Sequence, residues 1–464
     1  MDERKAIFIA ISRAGVARNL LFNQFIDLLA EKYRVVILTP LYNDPAFRAK
    51  FSRFDIEPLF ERELTPFQKK LELSFISLHK ALIYNPTIRL GAEQGLMLMN
   101  YVRFRRLRNL IGRYFFGIFL SWNWSRNFAK WLDGKFFPCK LYDTLIDKYK
   151  PAAVFISSIG ADDQVALLRN CKKRRILSVG MAASWDNLSK YGMREMADFF
   201  VVWSDYMQEE AIKFQCYKNN QVVITGIPQF DYYVNLPIIS RDEFYRKFKL
   251  DPAKRVIFFG SEGPVCPDDP HVVSFLQEKI KDGTLPNYQV LVRPHFGYKT
   301  DIERFMPLVD NITISIDNFH EVSNFRDGTG ISLESVKNLT VELRYCDVAI
   351  TSASTLVLDI SANGKQPLLY NFDKNKNTPY KRSIHRLYTS LWFIEVMKMG
   401  LDNICDNEAE LISKIKEITL NPHKDVDKRE RLLQRFCYRI DGKSGFRLFR
   451  AVDDFIQKNL LLNK

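Results

Sequence analysis

The chain has 464 residues, of which 47% are hydrophobic and 26% charged, and its formal net charge is +14. That composition excludes a disordered chain, and the length excludes one ordinary core, pointing to two or three domains. No uninterrupted apolar run reaches the roughly 18 residues of a membrane-spanning helix.

The opening MDERKAIFIAIS runs from charges straight into a strand, without the pattern of a signal peptide. The seven cysteines are dispersed, with no CxxC pair and no metal-ligand spacing. They fit a reducing cytosol, most of them buried as small hydrophobes. A cytoplasmic location is therefore expected. The cationic excess favours polyanionic partners: nucleic acid, anionic lipid or phosphorylated substrates. Within 101–140 the stretch YVRFRRLRNLIGRYFFGIFLSWNWSRNFAKW interleaves Arg with Phe and Trp. Two readings stand: an interfacial element on the inner face of an anionic membrane, or a core helix with a solvated basic face. No RNP motif, zinc finger or helix-turn-helix pattern occurs, so no nucleic-acid partner is expected.

In chain order, Ala6–Ile11 predicts a strand, LLFNQFIDLLAEKY a helix and Arg34–Thr39 a second strand, a β-loop-α-β unit of a parallel sheet. Residues 65–150 read as a mostly helical insertion. Alternation resumes with strands at Ala152–Ser157, Arg175–Val179, Phe199–Trp203 and Val222–Thr225, and a helix at Asp162–Cys171. The polar, Pro-punctuated stretch Asn235–Arg255 reads as a linker with one short helix. A second series follows, with strands at Val256–Gly260, Tyr288–Val292, Ile312–Ile316, Val348–Thr351 and Pro367–Tyr370. The expected division is 1–235, 236–440 and a terminal helix in 441–464.

Ligands of open parallel sheets bind beyond the carboxyl ends of the strands. Four loops qualify. Ser261-Glu262-Gly263-Pro264 lets backbone N–H groups approach a phosphate; it could also be an ordinary turn. Arg293-Pro294-His295 supplies a fork of donors for a pyrophosphate and a donor or proton, against a plain surface turn. Thr351-Ser352-Ala353-Ser354-Thr355 leads into LVLDISANG, so hydroxyls sit at a helix start. Asp359 lies one turn along the same face as Thr355, where a carboxylate accepts from ribose hydroxyls; the alternative is a simple N-cap with Asp359 solvated. In the first half, Trp185, Asp186 and Asn187 stand together in a loop, where they suit a sugar platform or cleft wall. Thr225-Gly226-Ile227-Pro228 is a companion turn or a rigid connector.

The series SWDNLSKYG, FFVVWSDYMQEEA, VVITGIPQFD, LVRPH, DVAITSASTLVLDISANGKQPLLYNFD and DGKSGFRLFRAVDDFI resembles GT-B proteins of bacterial surface-polysaccharide assembly. These are glycosyltransferases and the related CDP-glycerol glycerophosphotransferases. The likeness covers 150–464. It implies an α/β fold of two doubly wound Rossmann-like domains facing a central cleft, with a helical insertion in the first. It implies a donor site in the second domain, with Arg293 and His295 at the diphosphate and Ser354 and Thr355 at phosphate; Ser261 and Glu262 join that site on their place after a strand. Asp359 stands where many relatives have a Glu on the ribose, one methylene longer. The acceptor side would include Gly15, Arg18, Trp185 and Asn187, with Asp186, and less strongly Asp162 or Asp163, as a general base. His295 is the other catalytic candidate.

The expected activity is transfer of a sugar from a nucleotide sugar to a cell-surface polysaccharide or lipid-linked glycan, such as a capsule or O-antigen. The rivals are glycerophosphate transfer from CDP-glycerol, a nucleotide-sugar 2-epimerase and a non-catalytic scaffold. Glycerophosphate transfer implies a histidine in each domain, and the first half has only His79. No DxD follows a strand in a metal-like setting; Asp268-Asp269 and Asp162-Asp163 come nearest. No metal and no cofactor beyond the donor is called for.

Overall fold

The computed structural model describes residues 3–90, 112, 115, 122–159, 162–295, 297–298, 300–316, 325, 333–380, 382–401 and 403–462. The chain forms two compact units. The first takes Met1–Gln229, Glu321–Ile331 and Arg435–Lys464; the second takes Phe230–His320 and Ser332–Gln434.

In the first unit the described strands are β1 (Ala6–Ala10), β2 (Arg34–Thr39), β3 (Asp55–Pro58), β4 (Ala153–Ile156), β5 (Leu177–Met181), β6 (Phe199–Val202) and β7 (Val222–Ile224). They form one sheet in the order β3-β2-β1-β4-β5-β6-β7. Every pairing is parallel; Phe8, for instance, sits opposite Val36 on one side and Val154 on the other. AIFIA and AVFI are buried on every residue, as expected of strands covered by helices on both faces. The predicted helix LLFNQFIDLLAEKY is two helices, Ala14–Leu21 and Gln24–Lys32. Asn23 separates them because its side chain accepts from the Phe25 N–H and caps the second. The terminal helix Ser444–Leu462 packs on Gln24–Lys32, where Asp453 takes hydrogen bonds from Lys32 at 2.6 Å and Tyr33 at 2.7 Å.

The second unit repeats the plan. Its described strands are β8 (Arg255–Gly260), β9 (Tyr288–Arg293), β10 (Ile312–Ile314), β11 (Val348–Thr351), β12 (Pro367–Tyr370) and β13 (Ile404–Cys405). Their order is β10-β9-β8-β11-β12-β13, all parallel. Each sheet thus contains the Rossmann order 3-2-1-4-5-6. The stretch Asn235–Arg255 holds one short helix, Arg241–Lys247, as the sequence predicts, and another, Asp231–Asn235, ends where it begins. Arg241–Lys247 is started by a capping box between Ser240 and Glu243.

The first unit also carries the helices Pro66–Leu82 and Asn123–Phe136 of the predicted insertion. They are bolted to the unit by ions. Asp133 is fully buried and accepts from Arg194 at 2.8 and 2.9 Å and from His79 at 3.1 Å, with Arg169 at 3.0 Å. Burial alone would raise its pKa, but the bonds from Arg194 and His79 and the Arg169 charge outweigh burial and hold the carboxyl below the usual range. Burial lowers the His79 pKa. Gly192 lies so close beneath the first helix that a Cβ there would meet the His79 carbonyl oxygen at 2.3 Å. Among the described residues no helix is long and apolar enough to cross a membrane.

Candidate functional site

In each unit the strand order reverses between the first and fourth strands, and the crevice at such a reversal is where open sheets hold ligands. In the second unit that point lies between β8 and β11. Ser261-Glu262-Gly263 leaves β8 there, and Ser352-Ala353-Ser354-Thr355 leaves β11 beside it. The two loops are bonded together. Ser354 Oγ donates to Glu262, Cys266 Sγ lies 3.5 Å from Ser352 Oγ, and Thr351 Oγ1 donates to the Gly260 carbonyl at 3.1 Å. Ser261, Ser352 and Ser354 are buried, while Thr355 is exposed. Ser354 also accepts from the Leu356 N–H at 3.1 Å, fixing the start of the helix Leu356–Ala362. Gly263 sits at φ +67°, where only glycine is unstrained, and a Cβ would meet the Tyr298 ring at 2.4 Å.

The organiser of this corner is Asp269, which the sequence offered only as a weak metal candidate. It is fully buried and accepts from Ser261 Oγ at 2.8 Å, from the Glu262 N–H at 3.0 Å and from Tyr370. Those bonds set the path of the 261–263 loop. Burial pushes its pKa up to about 7, opposed by the bonds from Tyr370 and Ser261. A raised carboxyl costs nothing below its unfolded pKa of about 3.9. From there up to about 7 the unfolded chain gives up its proton first, so folding stability falls as pH rises, then levels. We expect the stability advantage of wild type over Asp269→Asn to shrink across that window and stay constant above it. Chemical unfolding midpoints from pH 4.5 to 8.5 (about the range these pKa values span) check this; a parallel pair of curves would refute it.

Next to β8, β9 ends at Arg293 and the chain continues through His295. The His295 N–H donates to Asp301 at 2.7 Å, and its Nδ1 accepts from the Gly297 N–H at 3.0 Å. The neutral ring therefore carries its proton on Nε2, as a donor. Its ring lies against Tyr298 at 4.9 Å. Arg304 bonds Asp301 at 2.6 Å and the Cys266 carbonyl at 2.6 Å, tying this loop to the one after β8.

Several expected roles change. Arg293 is not an open anion clamp: its guanidinium donates to Glu342 at 2.8 Å and to Ser335 Oγ at 2.9 Å, because a buried cation needs a counter-ion. The backbone of the 261–263 loop is not open to a phosphate: the Ser261 N–H donates to the Arg293 carbonyl at 3.0 Å, the Glu262 N–H to Asp269 at 3.0 Å and the Gly263 N–H to Ser261 Oγ at 3.0 Å, and the Glu262 carboxylate, an acceptor only, suits hydroxyls. Asp359 does not change in this way: it is partly exposed on the helix Leu356–Ala362 and already accepts from one hydroxyl, that of Tyr233. In the first unit Trp185 is 3% exposed. Its ring packs edge-on against Phe436 at 5.1 Å and Tyr206 at 6.4 Å, so it is a core residue and not a platform. Asp186 is buried and bonded by Lys190 and by Asn187 at 3.1 Å, which removes it as an open base. Asn187 accepts from the Ser184 N–H at 3.1 Å and braces its own loop. Gly15 and Arg18 stand partly exposed in the helix after β1. That end of the sheet is braced by buried Gln164, which donates to Ser12 Oγ at 3.0 Å and accepts from the Ser158 N–H at 3.2 Å. The side chains of Asp162 and Asp163 lie outside the described residues, as do residues 101–111, 113–114 and 116–121 of the basic block.

Two parallel sheets of this order define the GT-B class, and solved structures agree. S. aureus MnaA in complex with UDP matches with a TM-score of 0.53 at 10% identity, covering 98% of this chain and 97% of that one. A putative UDP-N-acetylglucosamine 2-epimerase from Listeria monocytogenes matches with 0.54 at 11% identity, covering 98% and 97%. The UDP-GlcNAc 2-epimerase from Neisseria meningitidis bound to UDP-GlcNAc matches with 0.52 at 10% identity, covering 97% and 99%. At such identities the likeness is one of fold. None of the curated proteins matches the sequence. The family is given by residues 181–454, which match the model of CDP-glycerol:poly(glycerophosphate) glycerophosphotransferase. The chain belongs to that family, and its activity is of the transferase class.

Proposed function

We propose that the chain moves a glycosyl group from a nucleoside-diphosphate donor to a cell-surface polysaccharide or lipid-linked acceptor, at the cytoplasmic face of the membrane where such donors are made. The observation that carries the donor site is the corner at the β8/β11 reversal, where Glu262 and Ser354 meet and His295 stands on the same sheet edge. In this reading the His295 Nε2–H and the exposed Thr355 hydroxyl face the diphosphate. Glu262 and Asp359 take hydroxyls of the ribose or sugar. Charge developing on the departing diphosphate is met by donors already in place, which lowers the barrier without reorganisation.

A second reading, glycerophosphate transfer from CDP-glycerol, is favoured by the family match. Against it stands His79. It is the histidine of the first unit, and it is 3% exposed and spent on Asp133.

A thermal-shift panel of UDP, GDP, CDP, CMP and TDP tests the donor site. One nucleotide should raise the apparent stability selectively, by about 2.7 kcal/mol at a hundred times its Kd. Turnover then separates the readings, because sugar transfer releases a nucleoside diphosphate and glycerophosphate transfer releases CMP. A panel with no shift at all would remove the donor site.

A further inference from the structure

Charge at the β8/β11 corner is one-sided. Along 261–269 and 352–359 the charged side chains are Glu262, Asp268, Asp269 and Asp359, four acids and no base. Asp269 is fully buried, and Asp268 accepts from the Lys374 N–H at 2.9 Å. Glu262 is partly exposed beside Ser354, which donates its hydroxyl to the carboxylate. A carboxylate accepts up to about four hydrogen bonds and donates none, so hydroxyls suit this place and a second anion does not.

The arginines that reach the corner from elsewhere are engaged by partners other than Glu262. Arg293 is held by Glu342 and Ser335. Arg304 donates to Asp301 and to the Cys266 carbonyl, each at 2.6 Å. Arg386 is buried and donates to the carbonyls of Ser383 at 2.6 Å and Val265 at 2.7 Å. The exposed lysines Lys374 and Lys376 stand on the loop after β12, on the far side of β11 from β8. The backbone N–H groups of 261–263 are spent within the unit as well. With the diphosphate at His295 and Thr355, Glu262 is left to meet the group that the diphosphate carries.

We propose that Glu262 selects the group to be transferred: an uncharged sugar, whose hydroxyls the carboxylate accepts, and not an acidic sugar, which it repels. The proposal rests on the donor site above and goes further by naming the class of sugar. Selection of this kind works by exclusion, because a like charge against a carboxylate in a part-buried corner loses more affinity than one missing hydroxyl contact.

Matched donors test it: the glucosyl and glucuronosyl esters of UDP, GDP, CDP and TDP. Within each pair a carboxylate replaces the hydroxymethyl group of the sugar. Titration calorimetry gives the dissociation constants, with the bare nucleoside diphosphates alongside. On wild type the glucosyl ester should bind more tightly than its glucuronosyl partner, by about tenfold or more. The chain's net charge of +14 attracts anions at long range, so a preference for the uncharged ester reports the corner itself. Glu262→Gln should close most of the gap, and Glu262→Arg should invert it. The ratio within one protein cancels any general loss of affinity, and the wild-type ratio needs no variant. Equal binding of the two esters by wild type, tighter binding of the glucuronosyl ester, or a gap that Glu262→Gln leaves intact overturns the proposal while the donor site stands. If neither the bare nucleotides nor the esters bind, the donor site falls and the proposal falls with it.

Discussion

Asp133→Ala should lower the melting temperature by about 10 °C. The carboxylate is fully buried and is the shared counter-ion of Arg194 and Arg169, with His79 donating to it as well. Removing one partner of a buried pair costs about 3–5 kcal/mol, because the cations left behind are desolvated without compensation. At about 2–4 °C per kcal/mol for a unit of this size, the expected fall follows. Glu72 remains 2.7 Å from Arg194 and recovers part of the loss, so Asp133→Ala combined with Glu72→Ala should be worse than either change alone. The network joins four separate parts of the chain. Its loss should loosen the two helices before the sheet, visible as faster amide exchange in residues 66–82 and 123–136 than in the strands. Scanning calorimetry with hydrogen exchange reads both effects, and an unchanged melting temperature would show that the carboxylate is dispensable.

The fold was legible where burial writes itself into composition. β1, β4, β8 and β11 are covered on both faces, so they appear as short apolar runs between turn signals. β3, a half-buried edge strand reading DIEP, was not legible. Its charges are paired with distant residues, Asp55 with Arg34 and Glu57 with Lys148. β13 is two residues long and leaves no pattern.

The corner at β8 and β11 was found because glycine and hydroxyl residues at strand ends follow from the topology rule. What each polar side chain does there was not, because its partner lies far along the chain. Glu342 meets Arg293 from 49 positions away, and Tyr233 meets Asp359 from 126. The Trp185-Asp186-Asn187 loop was read as costly to leave idle, and that premise held while the conclusion changed. The cost is met inside the unit by Phe436, Tyr206 and Lys190. The helix Asn123–Phe136 shows the same limit: its pattern gives two faces, and only the structure says which one points inward.

Arg293→Ala should be the most damaging single change in the second unit. Its guanidinium bonds Glu342 at 2.8 Å and Ser335 at 2.9 Å, and Ser315 donates to the same carboxylate. Glu342 is fully buried, so truncation strands an uncompensated charge, again about 3–5 kcal/mol. Arg293→Lys should recover little, because an ammonium cannot reproduce the fork that reaches both partners. Arg293→Ala with Glu342→Ala should be more stable than Arg293→Ala alone, since the stranded charge goes with its partner.

That double variant also separates two roles for the arginine. If Arg293 only holds the end of β9 and the His295 loop behind it, restoring stability restores nucleotide affinity. If it also reaches a donor phosphate, the double variant is stable but still binds the nucleotide more weakly, by the roughly 1.5–3 kcal/mol of a charge-assisted contact. Calorimetric stability and nucleotide affinity measured on the same three proteins decide between them. The buried geometry of the guanidinium favours the first outcome, because a fork already engaged by Glu342 and Ser335 must break those bonds to reach a ligand.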